Sequence, residues 1–185
     1  MHPIVTVHLS GTSILIIFID IMLKTLASKN RIKLLFICLG NICRSPAAHA
    51  IMQHIVDEHH DGNRFEIDSA GIGGWHIGDL PDRRMRQHGS QHGYRLTHRA
   101  RQFNAGRDFA DFDLILVMDA ENRRNLLRQA HCDEERRKVM MLSDFLRHHP
   151  QADEIPDPYY GGDQDFEYVI ELLEDALTEL YQQLN

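Results

Sequence analysis

A cysteine and an arginine with five residues between them are the side chains in this sequence best suited to chemistry. Cys38 ends an apolar run, and Arg44 stands directly before Ser45 and Pro46. A thiolate is a strong nucleophile, and the planar guanidinium of arginine matches two oxygens of a phosphate. The spacing therefore predicts a loop that holds an oxyanion between a nucleophile and a cation. The residues between the two are Leu39, Gly40, Asn41, Ile42 and Cys43.

A helix is predicted to begin directly after this loop. Ser45 is the predicted N-cap, and Pro46 suits the first turn, where its missing N–H is not needed. The loop amides would then converge at the positive end of the helix and form an anion site. Gly40 allows a sharp turn or a close approach of the backbone. A helix N-terminus and a nearby cation favour the thiolate form of Cys38, whereas a merely structural cysteine would need neither.

Asp157 is the candidate proton donor for such a site. It lies between Pro156 and Pro158, which restrict the backbone and hold the carboxylate on a stiff loop. Covalent transfer to a cysteine requires that the leaving oxygen be protonated, and the same carboxylate would later deprotonate the attacking water. The alternative is an Asp-Pro turn at the surface.

Short apolar runs alternate with helical patterns after residue 32, which predicts parallel strands with helices on both faces of the sheet. Ligands of such sheets bind beyond the carboxyl ends of the strands. Asp119 is the predicted N-cap of a helix that runs to about Ala130. The predicted strands are residues 33–38, 65–69, 114–118 and 139–142. The predicted helices are residues 46–59, 83–93, 120–130, a short one before Pro150, and a long amphipathic one at the C-terminus.

The residues before the first strand are predicted to form an extension, residues 1–31, of uncertain order, followed by one domain, residues 32–185. The apolar run from Ile14 to Leu23 has ten residues and contains Asp20, whereas a membrane-spanning helix needs about 20 apolar residues. No Lys or Arg precedes Lys24, which argues against a signal peptide. Met22 is an alternative start.

Composition indicates a globular protein of a reducing compartment. Of the 185 residues, 43% are hydrophobic and 25% are charged, which excludes a disordered chain. Three cysteines are too few for a disulfide scaffold. The net charge of −7 does not favour nucleic-acid binding. Residues 83–107 carry seven arginines and no acidic residue, whereas residues 151–185 carry ten acidic residues and no Lys or Arg.

The loop motif and the late Asp-Pro pair together resemble the low molecular weight protein tyrosine phosphatases, over about residues 33–185. The resemblance implies a three-layer α/β fold with a four-stranded parallel sheet, of the phosphotyrosine phosphatase I-like type. Further segments that match are residues 69–71, Trp75, residues 98–102, and Met118-Asp119 with Asn122.

The resemblance also implies a role for each site residue. Cys38 would be the nucleophile, Arg44 the phosphate clamp, and Asp157 the acid and then the base. The residues that support the loop would be Asn41, Ser45, Ser69 and His98, with Ser45 also activating the leaving thiolate. The wall of the pocket would comprise Trp75, Tyr159 and Tyr160. The alternative, especially for Tyr160, is an ordinary packing aromatic. A reversible disulfide between Cys38 and Cys43 is a further implication, with a buried structural Cys43 as the alternative.

Two relatives with the same fold remain as alternatives. Arsenate reductases need a downstream redox pair of cysteines, and only Cys132 follows the loop. Protein-arginine phosphatases are similar but carry Thr at the position of Ile42, and an aliphatic side chain there fits an aromatic ester better. The expectation is therefore a cytoplasmic, monomeric enzyme with a phosphotyrosine protein as substrate, no nucleic-acid or membrane partner, no cofactor and no metal.

Overall fold

Four parallel strands form the sheet of the computed structural model, which describes Ile19 and residues 21–185. The strand order is β2-β1-β3-β4, and every pairing is parallel. The prediction of a parallel α/β sheet is therefore confirmed, with each strand within three residues of its predicted bounds. The strands are β1 (Ile32–Cys38), β2 (Phe65–Gly71), β3 (Leu114–Val117) and β4 (Val139–Met141).

Helices cover both faces of this sheet. They are α1 (Arg44–Glu58), α2 (Arg83–Gln91), α3 (Ala105–Asp111), α4 (Ala120–Gln129), α5 (Asp133–Arg137) and α6 (Asp163–Leu184), with a 3₁₀ helix at Leu142–Phe145. Leu34 and Phe36 of β1 point into the core beneath α1 and α6, whereas Leu35 and Ile37 point into the core beneath α3 and α4. Because side chains alternate along a strand, one apolar run supplies both cores.

The helix predictions are confirmed at α4 and α6 and need correction at α1. The Asp119 side chain accepts a hydrogen bond from the Asn122 amide and caps α4 as predicted. Helix α1, however, begins at Arg44 with Cys43 as the N-cap, so the prediction of Ser45 as N-cap was wrong. The Ser45 hydroxyl lies within the first turn of α1 instead. It is 3.0 Å from Cys38 Sγ and accepts a hydrogen bond from the Asn41 side-chain amide at 2.9 Å. Helices α3 and α5 were not predicted, because five to seven residues carry little periodic signal.

Part of the N-terminal extension packs on the domain. Residues 21–27 are helical, and Leu23 and Leu26 are 2% and 8% exposed within the main core. Arg64 donates a hydrogen bond to the Ala27 carbonyl at 2.7 Å. Order therefore begins before residue 32, since apolar side chains of this segment find a surface beside α6 and the 3₁₀ helix. Most of the apolar run of residues 14–23 lies outside the described residues, so the domain boundary stays a prediction.

The oppositely charged segments of the sequence meet in the fold. His92 in the arginine-rich segment contacts Glu167 and Glu174 of α6 at 2.8 and 3.1 Å. Arg101 pairs with Asp68 and with Asp108, at 2.8 Å each. Among the arginines of that segment, Arg84, Arg101 and Arg107 form ion pairs with carboxylates of the described residues. No helix among the described residues is both long and apolar enough to cross a bilayer.

Candidate active site

The sheet order creates a crevice between the carboxyl ends of β1 and β3. Strand β2 lies on one side of β1 in the sheet and β3 lies on its other side, so the strand order changes direction at β1. Parallel sheets bind ligands at such a point, beyond the carboxyl ends of the strands. Cys38 is the last residue of β1, and Asp119 lies two residues beyond β3. The Ile155 amide donates to the Met118 carbonyl at 2.8 Å, which anchors the loop that carries Asp157 at the same edge.

A pocket of about 290 Å³ opens at this edge. Most residues predicted for the site line it, including the three proposed for the chemistry. The lining consists of Cys38, Leu39, Gly40, Ile42, Cys43, Arg44, Trp75, His76, Asp157, Tyr159 and Tyr160. The predicted supporting residues Asn41, Ser45 and Ser69 are fully buried behind it.

Arg44 forms the buried cation of the site. Its side chain is 2% exposed, and its two terminal nitrogens contact Asp119 and Asp157, both at 2.6 Å. One of them also donates to the Ile155 carbonyl at 3.1 Å. Burial opposes the charged form, but the combined negative potential of Cys38, Asp157 and Asp119 outweighs it and raises the pKa of Arg44. The guanidinium therefore stays charged, and its position is set by two carboxylates.

The third nitrogen of Arg44, Nε, differs from the two terminal nitrogens in its hydrogen bonding. Nε is buried and has no hydrogen-bond acceptor in the described part of the chain. A buried donor on a charged group without an acceptor is costly, and native structures usually satisfy such a group with a water, an ion or a ligand. Since Arg44 lines the pocket, an oxyanion in the pocket would satisfy Nε.

The Cys38 sulfur lies among hydrogen-bond donors. Sγ is 3.0 Å from the Ser45 hydroxyl and accepts a hydrogen bond from the Asn41 amide at 3.3 Å. Cys43 lines the same pocket but differs in its electrostatics: burial, together with the negative potential of Cys38, Asp82 and Asp157, raises the pKa of the Cys43 thiol. Of the two loop cysteines, Cys38 therefore has the surroundings suited to a thiolate.

Asn41 is the hub that holds the loop in shape. It adopts a left-handed backbone conformation with φ of 57°, which asparagine tolerates better than most residues. Its side-chain amide donates to the hydroxyls of Ser45 at 2.9 Å and Ser69 at 3.0 Å. Its side-chain oxygen faces His98 Nε2 at 3.1 Å and accepts from the Arg101 amide at 2.9 Å. The four predicted supporting residues are thus brought together around one side chain.

The mouth of the pocket is aromatic and open to solvent. Trp75 is 73% exposed and Tyr160 is 97% exposed, whereas Tyr159 is 39% exposed and lies beneath the Arg84 guanidinium. Aromatic rings that line a pocket offer apolar surface to an aromatic ligand. Such exposure is unusual for packing aromatics and favours the predicted role as pocket wall.

Two residues of the site were missed from the sequence. Asp119 was predicted only as a helix cap, yet its second carboxylate oxygen contacts Arg44. Its place beyond the carboxyl end of β3 was the signal that could have identified it. His76 lines the pocket beside Gly40, where a Cβ would approach its ring to 3.2 Å, so Gly40 provides the close approach expected of it. No local pattern marks His76.

Comparison with known proteins agrees with this arrangement. The model of the family described as low molecular weight phosphotyrosine protein phosphatase matches residues 33–185. A Synechocystis relative, named as a low molecular weight protein-tyrosine-phosphatase, is 51% identical over 82% of this chain and 96% of its own. The chain belongs to the low molecular weight phosphotyrosine protein phosphatase family. It is accordingly an enzyme of the protein-tyrosine-phosphatase class.

Solved structures of the low molecular weight phosphatases have the same fold. A protein tyrosine phosphatase from Entamoeba histolytica, with Hepes in its active site, is 41% identical and has a TM-score of 0.79, covering 83% of this chain and 96% of that one. A Drosophila arginine phosphatase is 32% identical and has a TM-score of 0.75, covering 82% of this chain and 95% of that one. The fold therefore serves more than one phosphorylated side chain.

Proposed function

We propose that this phosphatase hydrolyses phosphotyrosine in proteins through a phosphate ester of Cys38. The observation that carries this assignment is the unpartnered Nε of Arg44 in a pocket that also contains Cys38 and Asp157. Covalent phosphoryl transfer requires three groups at one pocket. They are a nucleophile, a buried cation whose N–H can bind the phosphate, and a carboxyl group that transfers protons.

The first step transfers the phosphoryl group to sulfur. The dianion binds Arg44 through Nε and a terminal nitrogen, and thereby displaces Asp157 from the guanidinium. The Cys38 thiolate attacks phosphorus, so that an S–P bond forms as the bond to the phenolic oxygen breaks. Asp157 in its protonated form donates its proton to the leaving oxygen.

The second step releases phosphate and restores the enzyme. A water molecule attacks phosphorus, Asp157 accepts a proton from that water, and the S–P bond breaks to return the Cys38 thiolate. The Ser45 hydroxyl and the Asn41 amide lie 3.0 and 3.3 Å from the sulfur, and their hydrogen bonds stabilise the negative charge that develops on it.

The lining of the pocket supports an aromatic ester over the alternatives. Ile42 and the rings of Trp75 and Tyr159 offer apolar surface to a phenyl group, whereas a phosphoarginine would bring a polar guanidinium against Ile42. An arsenate reductase cycle lacks support, because the exposed Cys132 is the sole cysteine beyond the loop. The three cysteines are free thiols, which supports a cytoplasmic location. We further assign the enzyme as a monomer that requires neither nucleic acid nor a membrane.

The test compares three substrates on two proteins. Phosphotyrosine peptide, phosphoarginine peptide and arsenate with a thiol reductant are supplied to the wild type and to Cys38→Ser. We expect turnover of phosphotyrosine alone by the wild type, no turnover by Cys38→Ser, and retained binding of inorganic phosphate by Cys38→Ser in isothermal titration. Faster turnover of phosphoarginine would reject the assigned substrate, and turnover by Cys38→Ser would reject the covalent route.

A further inference from the structure

Three side chains that commonly bind metal ions converge behind the loop that holds Cys38. His49 comes from α1, Asp68 from β2, and His98 from the loop that follows α2. One ligand atom of each lies within 4.8 Å of the other two, and the two imidazole rings are 5.2 Å apart. The proposed phosphatase chemistry uses neither His49 nor Asp68.

Hydrogen bonding fixes which nitrogen of His98 carries the proton. The Asn41 amide nitrogen donates to Ser45 and Ser69, so the Asn41 side-chain oxygen can only accept. His98 Nε2, 3.1 Å from that oxygen, is therefore the protonated nitrogen. In neutral His98 the lone pair then lies on Nδ1, which faces a carboxylate oxygen of Asp68 at 3.6 Å. A cation between this nitrogen and that oxygen, either a proton or a metal ion, relieves the repulsion of the two electron pairs.

His49 adds a third donor of the same kind. Its Nδ1 is buried and has no hydrogen-bond partner among the described residues. An imidazole nitrogen that makes no such hydrogen bond is available to a metal ion.

We propose that His49, Asp68 and His98 form a binding site for a divalent transition-metal ion of the zinc type. Two imidazole nitrogens and one carboxylate oxygen suit Zn²⁺, whereas Mg²⁺ and Ca²⁺ prefer oxygen ligands alone. Zinc–ligand bonds are about 2.0–2.2 Å long, so the three side chains close further around the ion. Such a movement would break no hydrogen bond of His49 Nδ1 to the described residues.

The surroundings supply the other features of a metal site. A groove of about 290 Å³, lined by both histidines, gives access from solvent and room for a water as fourth ligand. Asp68 is oriented by the Ser69 amide at 2.7 Å and by Arg101 at 2.8 Å, and His98 is oriented by Asn41. The positive charge of Arg101 opposes a cation and limits its affinity.

The site is connected to the phosphate loop without taking part in the chemistry. An ion on His98 Nδ1 strengthens the Nε2–H donor toward Asn41, which in turn holds Ser45 and Ser69. Metal binding therefore stabilises the loop conformation from behind. The ligands belong to three elements that are distant in sequence, which is why no spacing motif indicated a metal.

The test measures Zn²⁺ binding directly. Isothermal titration uses a Cys38→Ser/Cys132→Ser background, which removes two thiols that would compete for zinc. Into this background we introduce either His49→Gln or the matched control His54→Gln, a half-exposed histidine of the same helix outside the cluster. We expect one saturable site, weakened about 100-fold or more by His49→Gln because a direct ligand is lost, and unchanged by His54→Gln.

Two further measurements, of thermal stability and of histidine NMR spectra, separate loss of the site from loss of folding. Without zinc, His49→Gln should retain the Tm of its background, since it removes no hydrogen bond made by Nδ1; if it does not fold, Asp68→Asn takes its place. In ¹⁵N-histidine spectra of the full chain, zinc should shift the ring nitrogens of His49 and His98. Absence of saturable binding, equal affinity in the two variants, or shifts confined to other histidines would overturn the proposal.

Discussion

At the scale of single residues, the two carboxylates that contact Arg44 differ in how readily a ligand can replace them. Both carboxylates that contact its guanidinium do so at 2.6 Å, but Asp119 is mostly buried and caps a helix, whereas Asp157 is 40% exposed on a loop. We therefore expect a bound phosphate to replace Asp157 and to leave Asp119 in place. In the proposed mechanism, substrate binding would then release the carboxylate that serves as the proton donor.

Replacing Asp157 separates its role as an acid from any role in binding. Asp157→Asn keeps the shape of the side chain but cannot donate a proton in the same way. We expect kcat/KM, which reports the transfer to Cys38 and not the later hydrolysis, to fall by about 10²–10⁴-fold for an aryl phosphate with a poor leaving group and far less for one with a good leaving group. Steady-state kinetics on a series of phenyl phosphates with increasing phenol pKa provides the measurement.

The neighbouring Asp153→Asn serves as the control, because Asp153 is exposed on the same loop and does not line the pocket. It should leave both classes of substrate unaffected. Equal slowing of good and poor leaving groups by Asp157→Asn would remove Asp157 from the acid role.

At the scale of secondary-structure elements, the C-terminal helix holds the segment that follows β4 through one carboxylate. Asp175 of α6 accepts hydrogen bonds from the amides of Arg147 and His148, and contacts the rings of His148 and His149 at 2.9 and 3.0 Å. Burial opposes its charge, but these bonds outweigh burial and lower the pKa of Asp175 from 3.8 to about 2.

This shift predicts a specific acid sensitivity. Because the folded-state pKa lies below the unfolded one, the charged carboxylate stabilises the fold above about pH 4, and this contribution is lost as the pH falls toward 2. At pH 3 about 1 kcal/mol is already lost. Asp175→Asn should therefore flatten the fall in unfolding free energy between pH 6 and pH 3, measured by urea unfolding.

A matched control on the same helix is Glu171→Gln, since Glu171 is exposed. Its pH profile should follow that of the wild type. An Asp175→Asn profile parallel to the wild type would show that Asp175 titrates alike in the folded and unfolded chains.

At the scale of the whole molecule, the core extends beyond the first strand toward the N-terminus. Leu23 is 2% exposed and packs in the same core as α6, although it lies before the predicted domain. It is not among the residues that line the pocket. We therefore expect this segment to contribute to stability and to leave the chemistry unaffected.

Leu23→Ala tests whether this segment affects stability and not catalysis. Truncating a buried leucine leaves a cavity and should lower the free energy of unfolding by about 2–5 kcal/mol, with kcat/KM unchanged at a temperature where the variant is folded. The control Ile21→Ala, at a residue that is 58% exposed, should change stability by about 0.5 kcal/mol or less. Equal effects of the two substitutions on urea unfolding would contradict the packing of this segment.

The sequence by itself determined the parts of this protein that depend on neighbouring residues. Cys38, Arg44 and the start of α1 lie within a few residues of one another, so their spacing alone predicts a strand, an anion-binding loop and a helix. The parallel sheet followed from buried runs separated by helical patterns. Local hydrogen bonding was already harder to predict, since Ser45 could serve as a cap or as a partner of Cys38 and only the loop geometry selects between them.

Only the tertiary structure decided which distant residues meet. The order of the strands brings Asp119 and Asp157 to Arg44, which they follow by 75 and 113 residues. The same packing brings His98 to Asn41 and leaves His49 facing Asp68. No local pattern encodes these contacts, because each depends on which faces the helices bury and where the sheet changes direction. A buried guanidinium must find partners wherever the fold supplies them, and the identity of those partners is a property of the whole chain.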